Sequence, residues 1–452
     1  MFDVLIVYMP LSCTFEMSSN ASESVQQWLM SPKKEQSTWP KYIADVRPFV
    51  IVALVPDVVE KCIYLSVHGK NIRDAKTISA HGDEHTTKYI ATYLIRELDN
   101  YTKYYNTVLV LRNAQDKYTI DSWLESIGRC GIDYKFGAST AYSSPVMFNS
   151  LLAGLVCSVH GSEVVNELDV IRFTGKSSLY DHLAIELSKT NLTYSNVQVN
   201  GHVTTPNMAP FMAQFTYDAF FDDVPNYVLN AIRTYGPYHT ITDRNETIYV
   251  NIDTERFGPH ADDTFSIGVY ATHENGQKFN MMDTNVLTWL HKKQQIDPVT
   301  EVEFLNQPSV AQVYTTLLQN CLTFDEAFSI LVDGLLTLTK RYNVVVVSDI
   351  AVDYSLMMQN IASYLVHGCQ QMYNSDVFDE LFMKMHHIAL DDFNRGLIKK
   401  SFSRGMWISD QTDIIDPLAL NVQKNEPAHD PCVDAMNVSK LHISILNALK
   451  RT

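Results

Sequence analysis

Phe49–Val55, FVIVALV, is an uninterrupted apolar run in which most residues are β-branched. A short run of this kind is typical of a strand that is buried on both faces of a sheet. Three further runs have the same character, and they lie at Val4–Tyr8, Cys62–Val67 and Thr107–Leu111. These four segments are predicted to be the central strands of one sheet.

Helical spacing separates these apolar runs. His85–Leu98 places Tyr89, Tyr93, Leu94 and Leu98 on one face, and Ile120–Ile127 follows the last run. Buried strands that alternate with amphipathic helices indicate a mostly parallel sheet with helices on both faces. The sequence therefore predicts an α/β domain over residues 1–165.

The pattern changes after Gly201. Asn226–Leu229, Thr247–Ile252 and Phe265–Ala271 carry alternating or β-branched residues, and Asn275-Gly276 is a hairpin-type turn dipeptide. Residues 166–284 are predicted to form a second, smaller α+β domain with a mainly antiparallel sheet.

Residues 285–452 are predicted to be mainly helical. Thr323 and Glu326 form a capping-box pattern at the start of one helix, and one strand, Val344–Val347, interrupts the helices. The predicted helices are Val310–Leu322, Phe324–Leu336, Tyr354–Val366, Val377–Leu390 and Val438–Leu449.

The segment 401–434 is predicted to be an extended arm. It contains Phe402 and Trp407, three prolines and little periodicity, so its aromatic side chains need another surface to be buried. Such an arm favours a role in protein contacts.

Composition excludes several classes of protein. The chain has 452 residues, 46% of them hydrophobic, which is globular and sufficient for two or three domains. Its formal charge of −16 argues against general nucleic-acid binding, because a strongly acidic surface repels phosphate backbones. The seven cysteines are scattered, which favours a reducing, intracellular location over a disulfide framework. No signal peptide and no membrane insertion are expected.

Four short polar motifs have a chemical and an ordinary interpretation. Gly175-Lys176-Ser177 has part of a phosphate loop but lacks its first glycine, so an ordinary turn is favoured. His81–His85 and His387 with Asp391 have metal-ligand spacing on a helix, but an exposed loop and a surface pair are favoured. His260-Ala-Asp262-Asp263 is favoured as a polar turn over a cation site.

The order of these features resembles the DHH family of phosphoesterases over about residues 1–280. The strand Ile63–Val67 runs into His68-Gly69-Lys70, which is similar to the Asp-His-His-Lys motif in His68 and Lys70 only. Asp57, after the second strand, is similar to the lone aspartate of the family, and Asp116 to that of its fourth motif. The opening strand and the turn Phe257–His260 are also similar, in reduced form.

The resemblance implies a parallel α/β domain that holds two Mn²⁺-type ions and a smaller domain that grips the substrate phosphate. A two-metal centre needs several carboxylates and imidazoles around ions roughly 3.5–4 Å apart. Met9, Thr14 and Val67 stand where the family has anionic or imidazole ligands, so only Asp57, His68 and Asp116 are left. No metal and no other cofactor are therefore expected.

The sequence leaves three functions open. The first is a non-catalytic protein-interaction or assembly protein, a pseudoenzyme on a decayed phosphoesterase scaffold. Its partners would be other proteins or further copies of itself. A chain rich in Tyr, Met, Asn and His with no intact motif indicates a viral or phage protein, which would act in the host cytoplasm.

The second is a phosphodiesterase for small nucleotides or short oligonucleotides, with Mn²⁺ or Mg²⁺ held by Asp57, His68 and Asp116, and by His81 or Asp83. The third is a structural subunit of a larger viral particle or complex.

Overall fold

The computed structural model describes ten strands and ten α-helices of this chain. The strands are β1 (Phe49–Asp57), β2 (Cys62–Gly69), β3 (Ile72–Ser79), β4 (Asn106–Leu111), β5 (Val146–Met147), β6 (Thr247–Arg256), β7 (Thr264–His273), β8 (Val286–Thr288), β9 (Asn343–Ser348) and β10 (Met385–Ala389). The helices are α1 (Thr86–Tyr104), α2 (Ala114–Glu125), α3 (Phe148–His160), α4 (Thr205–Phe221), α5 (Pro308–Leu318), α6 (Phe324–Thr339), α7 (Ala351–His367), α8 (Ser375–Lys384), α9 (Leu390–Ile398) and α10 (Pro431–Leu449).

The description covers most of the chain, with gaps. The described residues are 48–79, 86–132, 145–160, 205–221, 229–230, 233, 246–282, 285–290, 296–297, 300–301, 305–367, 375–398, 425 and 427–449. They fall into two compact units. The β1 unit comprises the described residues within 44–244, 387–422 and 444–452, and the β6 unit those within 245–386 and 423–443. These boundaries do not follow the divisions at 165 and 284 that the sequence suggests.

The β1 unit contains a five-stranded sheet with the order β3-β2-β1-β4-β5. β1, β4 and β5 are parallel, whereas β2 and β3 form an antiparallel hairpin against β1. The α/β class and the strands predicted at 49–55, 62–67 and 107–111 are confirmed. The hairpin makes the sheet mixed, with two parallel and two antiparallel pairs. It arises because a tight turn joins β2 directly to β3 with no crossover helix.

Helices cover both faces of this sheet. His68 of β2 packs against Tyr217 of α4, with ring centroids 5.1 Å apart. Asp74 of β3, which accepts a 2.6 Å hydrogen bond from Tyr101 of α1, lies opposite Val67 in the register. Because neighbouring residues on a strand point to opposite faces, α1 and α4 lie on different sides of the sheet. Val50 through Val55 are all buried as a result.

Two helices of the β1 unit meet backbone to backbone. A Cβ atom added to Gly154 of α3 would lie 1.9 Å from the carbonyl oxygen of Phe393 in α9. One added to Gly396 of α9 would lie 2.0 Å from the carbonyl oxygen of Leu151. The two glycines therefore permit a helix contact that side chains would prevent.

The β6 unit contains strands of a second sheet, in which they lie in the order β9-β6-β7-β8. β7 is antiparallel to β6 and β8, and β9 is parallel to β6. The predicted strands at 247–252, 265–271 and 344–347 are confirmed. β9 was predicted as an interruption of a helical region, and it is instead a central strand of this sheet.

Local signals place several further elements of the β6 unit correctly. The Thr323 side chain accepts from the backbone N–H of Glu326, whose carboxylate accepts from Thr323 in return, so the predicted capping box is present. Gly276, in the predicted hairpin turn, has a φ of +81°. Phe257 and Phe265 stack with centroids 4.3 Å apart and, together with Tyr314, form part of a buried core.

Two expectations need correction, and others concern segments outside the described residues. Val377–Leu390, predicted as one helix, is α8 followed by strand β10, so His387 and Asp391 are not a helical pair. The final helix begins at Pro431, which takes the last residues of the predicted arm into α10. The segments 4–8 and 226–228 and the arm from 401 to 424 are outside the described residues. Among the helices that are described, none has the length and apolar character needed to cross a bilayer.

Candidate metal centre

Asp57 and His68, two of the predicted site residues, lie at opposite ends of the β1–β2 pair. Asp57 is opposite Cys62, whereas His68 is opposite Ile51. Six residues of strand separate these positions, which corresponds to about 20 Å. Asp57 accepts a 3.0 Å hydrogen bond from the backbone of Glu60, and burial, with a smaller effect of Arg73, lowers the pKa of His68 to about 4. The structure does not bring these two residues together.

Asp116, the third predicted residue, is engaged within its own helix turn. Its carboxylate pairs with Arg112 at 2.6 Å, and its backbone N–H donates to the Asn113 side chain that caps α2. Burial raises its pKa. It therefore serves the start of α2 and joins neither Asp57 nor His68 in a shared centre.

Most of the other residues considered from the sequence cannot be assigned to a site. Met9, Thr14, His81, Asp83 and Lys176 lie outside the described residues. The segment 260–263 is a turn, in which the backbone N–H of His260 donates to Asp263 at 2.8 Å, as favoured from the sequence.

Acidic side chains collect where β6 and β9 end. These strands are parallel, so their carboxyl ends lie at the same edge of the sheet. Asp253 and Glu255 lie near the carboxyl end of β6. Asp349 directly follows β9, and Asp353 lies in the first turn of α7. The carboxyl edge of parallel strands is where open α/β sheets bind ligands.

Glu255 belongs to a group of three side chains of metal-ligating type, which we call the Glu–His–Asp cluster. It comprises Glu255 of β6, together with His429 and Asp434 from the start of α10, and their ligand atoms all lie within 4.8 Å of one another. The closest carboxylate oxygen of Glu255 is 3.7 Å from Nδ1 of His429. A cation placed between these atoms would have one imidazole and two carboxylates as ligands, a donor set that suits Mn²⁺, Fe²⁺ or Zn²⁺.

The sequence His429-Asp430-Pro431 builds the α10 half of the cluster. The Asp430 side chain accepts from the backbone N–H groups of Cys432 and Val433, and Pro431 occupies the first helical position, as is usual for a capped helix start. His429 has a φ of +65°, a left-handed conformation that histidine adopts more readily than most residues. Its backbone N–H donates to Asp434 at 2.8 Å, which fixes the two ligands relative to each other.

Gly268 of β7 allows α10 to reach the sheet. It lies opposite Asp253 in the register, and a Cβ atom there would lie 2.0 Å from the Pro431 carbonyl group. The absent side chain therefore admits the first turn of α10 onto the face of the sheet that carries Asp253 and Glu255.

The electrostatics of this edge favour the addition of positive charge. Burial raises the pKa values of Glu255 and Asp434, and the neighbouring Glu255 raises that of His429. Burial, followed by repulsion from Asp353 and Glu255, raises the pKa of Asp253 well above its usual value. Burial also raises that of Asp353 to about 6, although Thr254 donates to its carboxylate at 2.6 Å. A bound divalent cation would supply a counter-charge to these carboxylates.

This cluster was not predicted from the sequence. The acids Asp253 and Glu255 end the run TIYVNIDTER, whose apolar part was recognised as a strand, and Asp349 and Asp353 directly follow the run VVVV. Acids immediately after two buried strands were the available signal. His429 and Asp434 gave none of this kind, since they lie in a segment with three prolines and no periodicity.

Comparison with family models, with curated proteins and with solved structures finds no match to this chain. The resemblance to DHH-family phosphoesterases and the viral or phage origin therefore stay predictions.

Proposed function

We propose that this chain is a metal-dependent phosphodiesterase whose centre is the Glu–His–Asp cluster. The observation that carries the proposal is the convergence of Glu255, His429 and Asp434 within 4.8 Å at the carboxyl edge of β6. This site differs from the one that the DHH resemblance implies, which would use Asp57, His68 and Asp116. It also departs from the expectation of no metal, since that expectation concerned positions in the first 120 residues.

Three protein ligands suit a catalytic rather than a purely structural ion. Structural zinc sites use four protein ligands, whereas catalytic sites use three and leave a position for water or substrate. A zinc ion held by these three residues would lower the pKa of a bound water to near 7 and would stabilise charge on a phosphoryl oxygen. It would also offset part of the negative charge of Asp253 and Asp353, so that an anionic substrate could approach.

Metal content and phosphodiester hydrolysis of the full-length protein test the proposal together. The metal-free protein would be titrated with Mn²⁺ and Zn²⁺ by calorimetry and assayed with bis(p-nitrophenyl) phosphate. The Glu255→Gln/His429→Gln double variant is expected to lose both binding and hydrolysis. A matched control exists at the opposite end of β6, where Glu246 pairs with His273. The Glu246→Gln/His273→Gln variant should behave as the wild type, and equal losses in both variants would contradict the assignment.

A second function, the non-catalytic protein-interaction role, has its own structural support. The turn between β1 and β2 presents two apolar side chains to solvent, and Val59 is 80% exposed. Covering these two side chains with a partner protein would remove their apolar surface from water, which favours association. Replacing Val58 and Val59 by serine should reduce the mass of any self-assembled species in light scattering. An unchanged mass, with every co-purifying protein retained, would argue against this role.

A further inference from the structure

Tyr314 of α5 contacts the Glu–His–Asp cluster at Glu255. Its hydroxyl donates a short hydrogen bond to Oε2 of Glu255, and its side chain is among the largest that the structure buries fully. The other carboxylate oxygen of Glu255, Oε1, is the one that faces Nδ1 of His429. The two oxygens of this carboxylate therefore have different neighbours.

The aromatic core fixes the position of the phenol. The Tyr314 ring packs edge-on against Phe257, with centroids 5.8 Å apart, and against Phe265 at 4.7 Å. Both phenylalanines are completely buried. A side chain held on two sides by close-packed rings has one available rotamer, so its hydroxyl is aimed at Glu255 before any ligand binds.

We infer that Tyr314 is a positioning residue for the metal, which makes Glu255 a monodentate ligand through Oε1. This inference rests on the proposed function. The phenol occupies a lone pair of Oε2 and holds the carboxylate plane, so that Oε1 points into the space shared with His429 and Asp434. Carboxylates that ligate metals are commonly oriented by such hydrogen bonds, and loss of one typically costs about 10- to 100-fold in metal affinity.

The test compares Co²⁺ binding by the wild type and by Tyr314→Phe. Co²⁺ reports coordination number through its visible absorption, which a purely structural role of Tyr314 would not change. We expect the Kd of the variant to rise by about 10- to 100-fold, and its absorption to change as Glu255 becomes free to bind through both oxygens. Tyr249→Phe is the matched control, because Tyr249 is an equally buried tyrosine of β6 that packs on His442. It should leave both readouts unchanged.

The possible failures are distinguishable. If the wild type binds no Co²⁺, Mn²⁺ or Zn²⁺, the proposed function is wrong and this inference falls with it. If the wild type binds Co²⁺ and Tyr314→Phe gives the same Kd and the same spectrum, only the inference is overturned. Should Tyr314→Phe not fold, Phe265→Leu loosens the ring without removing the hydroxyl. It should weaken binding in the same direction by a smaller factor, and unchanged binding would contradict the inference.

Discussion

Replacing Gly268 by alanine should separate α10 from the sheet and thereby open the metal centre. The added Cβ would lie 2.0 Å from the carbonyl carbon and oxygen of Pro431 and 2.4 Å from the backbone nitrogen of Cys432, whereas ordinary contact begins at 3.4 Å. These are backbone atoms that no rotamer change can remove, so the first turn of α10 must move by about 1.4 Å. Metal–ligand distances tolerate only about ±0.2 Å, and His429 moves with this turn.

Two measurements give the size of the effect of Gly268→Ala on stability and on metal affinity. Overpacking of this kind costs about 1–3 kcal/mol, which a urea unfolding midpoint detects in the metal-free protein. Calorimetry of the folded variant should show Mn²⁺ affinity reduced by at least tenfold. Gly334→Ala is the control, because the atom nearest to its added Cβ is the flexible end of the Met281 side chain, at 3.2 Å. Alanine is also more favourable than glycine inside a helix, by up to about 1 kcal/mol. Wild-type stability together with wild-type affinity in Gly268→Ala would refute the reasoning.

Three further predictions concern stability. Gly154→Ala should lower the urea midpoint by an amount equivalent to about 1–3 kcal/mol, because its Cβ would meet the Phe393 carbonyl oxygen; an unchanged midpoint would mean that α3 and α9 adjust freely. Thr323→Ala should cost about 1 kcal/mol through loss of the α6 cap, while Glu326→Gln, which keeps an acceptor, should cost less. His68, with a pKa of about 4 in the folded state against 6.5 unfolded, stabilises the fold above pH 6.5 and loses that contribution as the pH falls toward 4. His68→Phe should therefore show a shallower acid destabilisation over that range, by roughly 3 kcal/mol at most; an equal slope would show that His68 already binds its proton in the folded state, with an ordinary pKa.

Local patterns in the sequence predicted most of the secondary structure. Runs such as FVIVALV and VVVV are buried strands because β-branched side chains fit a sheet that is covered on both faces. The capping box at Thr323 and the turn at Gly276 were predictable because both depend on neighbouring residues alone.

Pairing direction and long-range assembly were not predictable in this way. β2 has the apolar pattern of a parallel strand, but the short turn to β3 makes it part of an antiparallel hairpin. Met385–Ala389 is a strand inside a stretch whose spacing predicts one helix, because tertiary pairing overrides local propensity. The Glu–His–Asp cluster joins positions 255 and 429, a pairing that no local spacing can indicate.

The late position of His429 and Asp434 in the chain also has a consequence for the order of folding. One of the three ligands of the Glu–His–Asp cluster, Glu255, is on β6, and the other two arrive only after every element from β7 to α9 has been synthesised. A nascent chain that ends before residue 429 therefore has Glu255 but lacks both His429 and Asp434. Metal uptake would then report that the C-terminal helix has docked, and a ribosome-bound chain should acquire it only once that helix has left the exit tunnel.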